Sequence, residues 1–302
     1  MSHTKTLPDF KPIGASLGFT EERLLNLVRE MGVKTGKLGP GDDCDCIEIA
    51  ETSLCVNVDG FAAKEVMMDF MDLSDVGWRG VIASLSDLVA KGCVPRGSGY
   101  SVYANDIESA LQLSRGALEA VSEYSLTFLG ADTNRGNESI DAFSLGTCSN
   151  PIPIDGAEEG DLVVIPKGCW GCVKACLEGI AGDEERAHCK RPRIPKGLAE
   201  ALVKYRKFIR ASTDSSDSLA VSLWKLAKAS NKAIELHVLP SNLDEKYVLY
   251  SGEEYLPVLV VDREGLELVK EIDGMVIGRV REGPAKVTLY GREVKPLGWE
   301  WF

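Results

Sequence analysis

The feature that most limits what this chain can fold into is an alternation, sustained over nearly its whole length, of helix-period stretches and short strand-like runs. A helix beginning near Thr20 carries Leu24, Leu25, Leu27 and Val28. After a Gly/Asp-rich loop comes the strand-like "SLCVNVDG". A helix over about Asp72–Lys91 leads to "GSGYSVYA", which alternates like a half-buried strand. A helix over roughly Ile107–Ser122, the strand "YSLTFLG" running into "ADTNRG", and a strand near Ala142–Thr147 follow. The segment "SNPIPIDGAEEGD" is rich in Pro, Gly and acid and reads as a domain boundary. Beyond it lie the strand "DLVVIP", a cysteine-bearing helix, a polar connector (Gly182–Lys196) and the helix "GLAEALVKYRKFIR". A helix opened by Asp214 and Asp217 is next. Strands around Ala233–Val238, Lys246–Tyr250 and Leu256–Val261 precede a hairpin in "AKVTLYGREV". The pattern predicts an α/β (α+β) protein in two halves, 1–150 and 151–302, and 302 residues suffice for two cores.

With 46 acidic against 34 basic residues, the net charge is −12. Such a balance argues against a nucleic-acid backbone or an anionic membrane as the main partner. Phosphate ligands remain compatible, because carboxylates hold them through Mg²⁺. The opening "MSHTKTLPDF" lacks the apolar core of a signal peptide, and no apolar run is long enough to span a bilayer. These features point to a cytoplasmic protein. Nine cysteines in such a chain are expected as reduced thiols. In "KGCWGCVKACLEG", Cys169, Cys172 and Cys176, with His188 and Cys189 beyond, have a spacing that soft-metal sites use. The same three positions also fall on one helix face, where small apolar residues pack well.

The aspartates share a common address. Asp42, Asp43 and Asp45 lie in the glycine-rich "LGPGDDCDC"; Asp59 follows "LCVNV"; Asp132 follows "LTFLG". Asp214 and Asp217 open "STDSSDSL" at the start of an amphipathic helix, where one carboxylate would suffice as an N-cap. Turn and cap roles account well for Asp42 and Asp45. They account poorly for Asp87, flanked by Leu85, Leu88 and Val89, where a lone charge would be buried without a partner. Carboxylates converging at strand and helix ends repel one another unless divalent cations neutralise them. Hard oxygen ligands favour Mg²⁺, and Mg²⁺ with protein carboxylates usually accompanies nucleotide phosphates. The chain has neither a G-x-x-x-x-G-K-[ST] P-loop nor a protein-kinase glycine loop.

In order, "GPGDDCD", "VNVDGF", "ASLSDLVAKG", "LGADTNRG", "STDSSDSL", "YSGEEY" and the terminal "GWEWF" resemble the motifs of the thiamine-monophosphate kinase family. That family belongs to the superfamily of aminoimidazole-ribotide synthetase and selenophosphate synthetase. The resemblance runs from about Gly39 to Phe302. It implies a two-domain aminoimidazole-ribotide-synthetase-like fold whose N-terminal sheets pair in a homodimer, with ATP across the interdomain cleft. The implied activity is phosphorylation of thiamine monophosphate to thiamine diphosphate by direct transfer from ATP. Carried over by position, Asp43, Asp59, Asp87, Asp132, Asp214 and Asp217 look like Mg²⁺ ligands, with Asn57 and Val58 beside the metals. Ala131, Asp132 and Ser216 would contact the nucleotide. Glu253 and Trp299 would face the thiamine moiety, the indole offering a stacking surface. The chain departs from the family pattern at several places. Val66 stands where many members have a substrate-side histidine, Val58 replaces a threonine or serine, and Ser218, Ala131 and Ser251 replace glycines. Asn150 falls near the position of an ATP-associated arginine. A sister enzyme with another acceptor, or an ATP-binding homologue without turnover, are the alternative readings.

Overall fold

The computed structural model describes residues 20–298. Its first half contains α1 (Thr20–Glu30), β1 (Asp45–Ile49), β2 (Thr52–Ala62), α2 (Ala63–Val66), α3 (Leu73–Ala90) and β3 (Val94–Ala104). It continues with α4 (Ile107–Glu123), β4 (Thr127–Arg135) and β5 (Ser139–Cys148). The second half contains β6 (Leu162–Ile165), α5 (Cys172–Leu177), α6 (Asp183–Lys190), α7 (Leu198–Lys204), β7 (Ile209–Asp214) and α8 (Leu219–Ser230). After these come β8 (Ala233–Leu236), α9 (Glu245–Tyr250), β9 (Pro257–Val261), α10 (Leu266–Glu271), β10 (Met275–Arg281), β11 (Lys286–Leu289) and β12 (Arg292–Glu293).

Two mixed sheets result. The first has the order β1-β2-β5-β3-β4 and is antiparallel except where β4 runs parallel to β3. That parallel pair needs a crossover, and α4 supplies it. The second sheet has the order β12-β11-β8-β10-β6-β9-β7, with only β8 and β11 parallel. Its β9, "PVLVV", is buried throughout and feeds two cores at once. Leu259 and Val261 join α3, α7 and α10; Val258 and Val260 join α8 and α9. A strand covered on both faces must be apolar at every position, which is why this one shows no alternation.

Helix α3 lies between the first sheet and the β7–β9 edge of the second, and nearly every residue in it is buried. Asp72 starts it with a capping box: its side chain accepts from the backbone N–H of Ser74 and Asp75, and Asp75 reaches back. Glycine lets α3 and α4 approach backbone to backbone. A Cβ on Gly77 would fall on the carbonyl of Leu113, and one on Gly116 on that of Ser74.

Several local expectations need correcting. Residues 246–250 form a helix, not a strand, because Asp244 caps them through the Lys246 N–H. The polar connector contains a helix, α6. The long helix expected over "GLAEALVKYRKFIR" stops at Lys204, and β7 begins at Ile209. Asp59 and Asp132 lie inside strands rather than after them, and Asp214 is the last residue of β7. The N-cap of α8 is Ser218, whose Oγ accepts from the Val221 N–H at 3.1 Å. Four cysteines expected as thiols are paired, Cys46 with Cys55 and Cys169 with Cys172. The first pair follows from register, since the two residues face each other across β1 and β2. Cys169 precedes α5 rather than sharing its face. His188 Nε2 lies 3.5 Å from a carboxylate oxygen of Glu254.

Candidate active site

Three of the aspartates converge. Asp43 comes from the loop before β1, Asp87 from the last turn of α3 and Asp214 from the end of β7, and their carboxylates lie within 4.8 Å of one another. Each is held by a neighbour of different origin. Asp43 accepts from Thr213 Oγ1 at 2.7 Å, and from the Asp214 N–H at 3.3 Å. Asp87 accepts from the Asn57 side-chain amide on β2. Asp214 accepts from Ser86 Oγ at 2.7 Å and Ser216 Oγ at 3.3 Å. Beneath them, fully buried Lys91 pairs with Asp42 and, at 3.0 Å, with Asp43. It also donates to the Ser212 carbonyl at 2.5 Å. Lys91 therefore ties the aspartate loop to the second sheet.

The electrostatics are those of a site with too much negative charge. Burial, then Asp214 and Asp43, push the Asp87 carboxyl well above the ordinary carboxylate range. Burial, then Asp43, raise Asp214 to about 7. Asp59 is pushed up to about 6 by burial, with Asp217 and Glu253 adding to the effect.

Asp59 and Asp217 lead from this cluster into a cavity of about 140 Å³, whose walls include Val66, Lys174, Ser216 and Glu253. The "YSGEEY" loop is clamped onto the turn that carries Ser216 and Asp217. Glu253 N–H donates to the Ser216 carbonyl at 2.6 Å, and Tyr255 N–H to that of Ser215 at 3.0 Å. A side chain at Gly252 would strike both the Ser216 and Asp217 carbonyls. Glu253 is fixed by a salt bridge to Arg79, buried on α3 two turns before Asp87. Asp217 is paired with Lys225 at 3.0 Å.

The remaining candidates from the sequence are placed apart. In the first sheet, Asp59, Ala142, Tyr100 and Ala131 form one cross-strand row, and Ala142 and Tyr100 are buried in the core beside α3. Asp132 belongs to the next row, with Gly60, Asp141 and Ser101, and so projects from the opposite face. There it accepts from Asn134 at 2.8 Å, exposed on the edge strand. Val58 also points out from that face, 68% exposed. Asn150 is exposed on the connector, and its carbonyl accepts from Arg206 Nε at 2.6 Å. Trp299 lies outside the described residues. Sequence reading overlooked Lys91, Arg79, Ser86 and Thr213. A charged residue within an apolar helix was the available signal for Arg79, the same signal that marks Asp87.

Residues 41–148 match the family model described as AIR synthase related protein, N-terminal domain. The chain is 31% identical over 278 residues to the thiamine-monophosphate kinase of Pyrococcus abyssi, covering 86% of this chain and 89% of that one. It is 30% identical over 289 residues to the thiamine-monophosphate kinase of Methanopyrus kandleri, covering 87% and 90%. Among solved structures, tt0281 from Thermus thermophilus superposes with a TM-score of 0.82 at 31% identity, covering 91% of this chain and 97% of that one. The complex of AaThiL with AMPPCP and TMP also gives a TM-score of 0.82, at 23% identity, over 96% of this chain and all of that one, and shares the fold. The ordered motifs, the two-sheet architecture and these identities agree: the chain belongs to the thiamine-monophosphate kinase family.

Proposed function

We infer that this protein phosphorylates thiamine monophosphate to thiamine diphosphate with ATP as the phosphoryl donor. The observation that carries the reading is the meeting of Asp43, Asp87 and Asp214, drawn from three distant parts of the chain, beside an acid-walled cavity. In the transfer, a phosphate oxygen of thiamine monophosphate forms a bond to the γ-phosphorus of ATP as the bond to the ADP oxygen breaks. No side-chain nucleophile is required; the protein positions the phosphates and balances their charge.

The donor set fits Mg²⁺. It consists of hard carboxylate oxygens, crowded enough that burial and mutual repulsion push the carboxyls of Asp87 and Asp214 above the ordinary range. Asp43, Asp87 and Asp214 would hold it, with Asp59 and Asp217 toward the substrate. When bound, Mg²⁺ neutralises the phosphate charge that grows during transfer. Ser216, which lines the cavity and donates to Asp214, would meet the nucleotide. Glu253, held rigid by Arg79, presents a fixed anion to the cationic ring of the acceptor. Val66 makes that wall apolar where a histidine would have made it polar.

We further propose that residues 1–150 and 151–302 act as two domains joined through the α3 core, and that the protein is a homodimer. The outer face of the first sheet carries Ile47, Ile49, Val56 and Val58, all 40–68% exposed. Pairing of two such faces would bury them and bring Asp132 to the intersubunit side. Among the described residues no helix is long and apolar enough to cross a membrane.

The reading is tested by incubating purified protein with ATP, Mg²⁺ and thiamine monophosphate and resolving thiamine diphosphate by chromatography. Product that disappears when Mg²⁺ is omitted is the expected result. Folded protein that binds Mg²⁺-ATP but yields no thiamine diphosphate would overturn it in favour of another acceptor or of a non-catalytic homologue.

A further inference from the structure

The phosphoryl transfer assigns no part to Lys91, yet its ammonium touches the carboxylate cluster directly. Lys91 is the first residue after α3, and its side chain has no exposed surface. A buried ammonium is costly unless each of its three N–H groups finds an acceptor. Here all three do. The acceptors are Asp42 Oδ1, Asp43 Oδ2 at 3.0 Å and the Ser212 carbonyl at 2.5 Å. Asp42 and Asp43 belong to the loop before β1, and Ser212 to β7 in the other sheet.

The two carboxylates have different duties. Asp42 Oδ2 accepts from the Ile154 N–H at 3.1 Å and Oδ1 from the Asp43 N–H at 2.9 Å, and the side chain is only 3% exposed. Asp42 is thus the counter-ion of Lys91 and stands outside the trio of Asp43, Asp87 and Asp214. Within that trio, Asp87 is held by the Asn57 amide and Asp214 by the hydroxyls of Ser86 and Ser216, all neutral donors. Among the described residues, Asp43 alone of the three makes an ion pair. It is also the one member carried by a loop rather than by a helix or strand. Three carboxylates within 4.8 Å repel one another, and the member with least backbone restraint needs the strongest hold.

We propose that Lys91 is a positioning residue for the phosphoryl transfer. Its ammonium fastens Asp42 and Asp43 to the Ser212 carbonyl, and so holds the Asp43 carboxylate, against Asp87 and Asp214, where it takes the divalent cation. The role rests on the carboxylate cluster being the Mg²⁺ site, and Lys91 acts there only through Asp43. An ammonium 3.0 Å from a metal ligand also opposes a second cation, so charge and position predict opposite signs. If charge dominated, removing Lys91 would tighten metal binding. Because position dominates, removing it loosens the ion.

The test titrates nucleotide-free, full-length protein with Mn²⁺ and follows the free ion by electron paramagnetic resonance, which reads the site without turnover. In Lys91→Met the dissociation constant is expected to rise on the order of tenfold, the usual effect of removing a group that orients a metal ligand. Tighter or unchanged binding would overturn the proposal, since the ammonium would then act by charge alone or not at all. Lys91→Met leaves Asp42 buried without its counter-ion, which can prevent folding. Asp42→Asn/Lys91→Met removes both charges together, preserves the net charge and keeps an acceptor for the Ile154 N–H. It should show the same weakening, and wild-type affinity in this double variant would equally overturn the role. In the kinase assay, the Mg²⁺ concentration for half-maximal rate should rise in step while the KM for thiamine monophosphate holds. A rise in both would make Lys91 a structural residue only. Wild-type protein that binds no Mn²⁺ would overturn the metal-site reading and this role with it, whereas binding that the variants leave unaltered overturns the role alone.

Discussion

At the scale of single residues, the site stores unfavourable charge. Asp87 has a neutral partner in Asn57, while its charged neighbours are mostly other carboxylates. Its carboxyl titrates well above the unfolded value near 3.8, so ionising it costs more in the folded protein. That cost is absent below the unfolded pKa and grows as pH rises toward and through the folded one. Asp87→Asn keeps an acceptor for Asn57 and removes the repulsion. We therefore expect the metal-free variant to melt higher than wild type at pH 7, with the gap closing near pH 4. Thiamine diphosphate formation should fall on the order of 100-fold or more, the scale of losing one preorganised charge-stabilising group. Calorimetry and the kinase assay check the two halves. A variant that is both less stable and fully active would show that Asp87 is a structural residue. Only part of this residue-level picture was legible in the chain. An aspartate amid leucines signals a site, but Thr213, Ser86 and Asn57 meet the carboxylates from elements far away in sequence, and no local pattern encodes such meetings.

At the scale of elements, α3 does two jobs. Its apolar surface joins the two sheets, and its last turn delivers Asp87. The start of the helix is fixed by Asp72, whose carboxyl is held below its ordinary range by the Ser74 hydroxyl and by the Asp75 and Ser74 amides. Asp72→Ala is expected to destabilise the fold by about 1 kcal/mol at neutral pH. The sign with pH follows from the depressed folded value. The carboxylate's contribution is complete above the unfolded pKa and is lost as pH falls through the folded one, so variant and wild type should converge in acid. Urea denaturation at pH 7 and below pH 3 measures this, and a pH-independent difference would assign the loss to something other than the charged cap. The helix over α3 was readable, whereas α9 was misread as a strand. "KYVLY" is apolar enough for either form, and only its Asp244 cap and its packing in the second core decide for helix.

At the scale of the whole molecule, the uncompensated charge and the exposed apolar face lie on opposite sides of the first sheet. Asp59 faces the carboxylate cluster; Ile47, Val56, Val58 and Asp132 face outward. Val56→Lys places a cation at the middle of that outer face without touching the inner one. If two sheets pair there, sedimentation of the variant should shift from dimer to monomer while its far-ultraviolet circular dichroism stays unchanged. An unaltered dimer would place the interface elsewhere.

The sequence by itself determined the mixed α/β class, the family, the set of aspartates and many of the elements, α3, α4 and α8 among them, because helix period, turn residues and ordered motifs are local along the chain. The tertiary structure alone decided which aspartates meet. Alternation along β2 and β4, combined with their register, sends Asp59 to one face of the sheet and Asp132 to the other. It also decided that Lys91 lies beneath Asp43, that Arg79 holds Glu253, and that five scattered cysteines share one pocket. These contacts depend on which side chains the folded chain brings within a few ångströms, and separation in sequence carries no record of that distance.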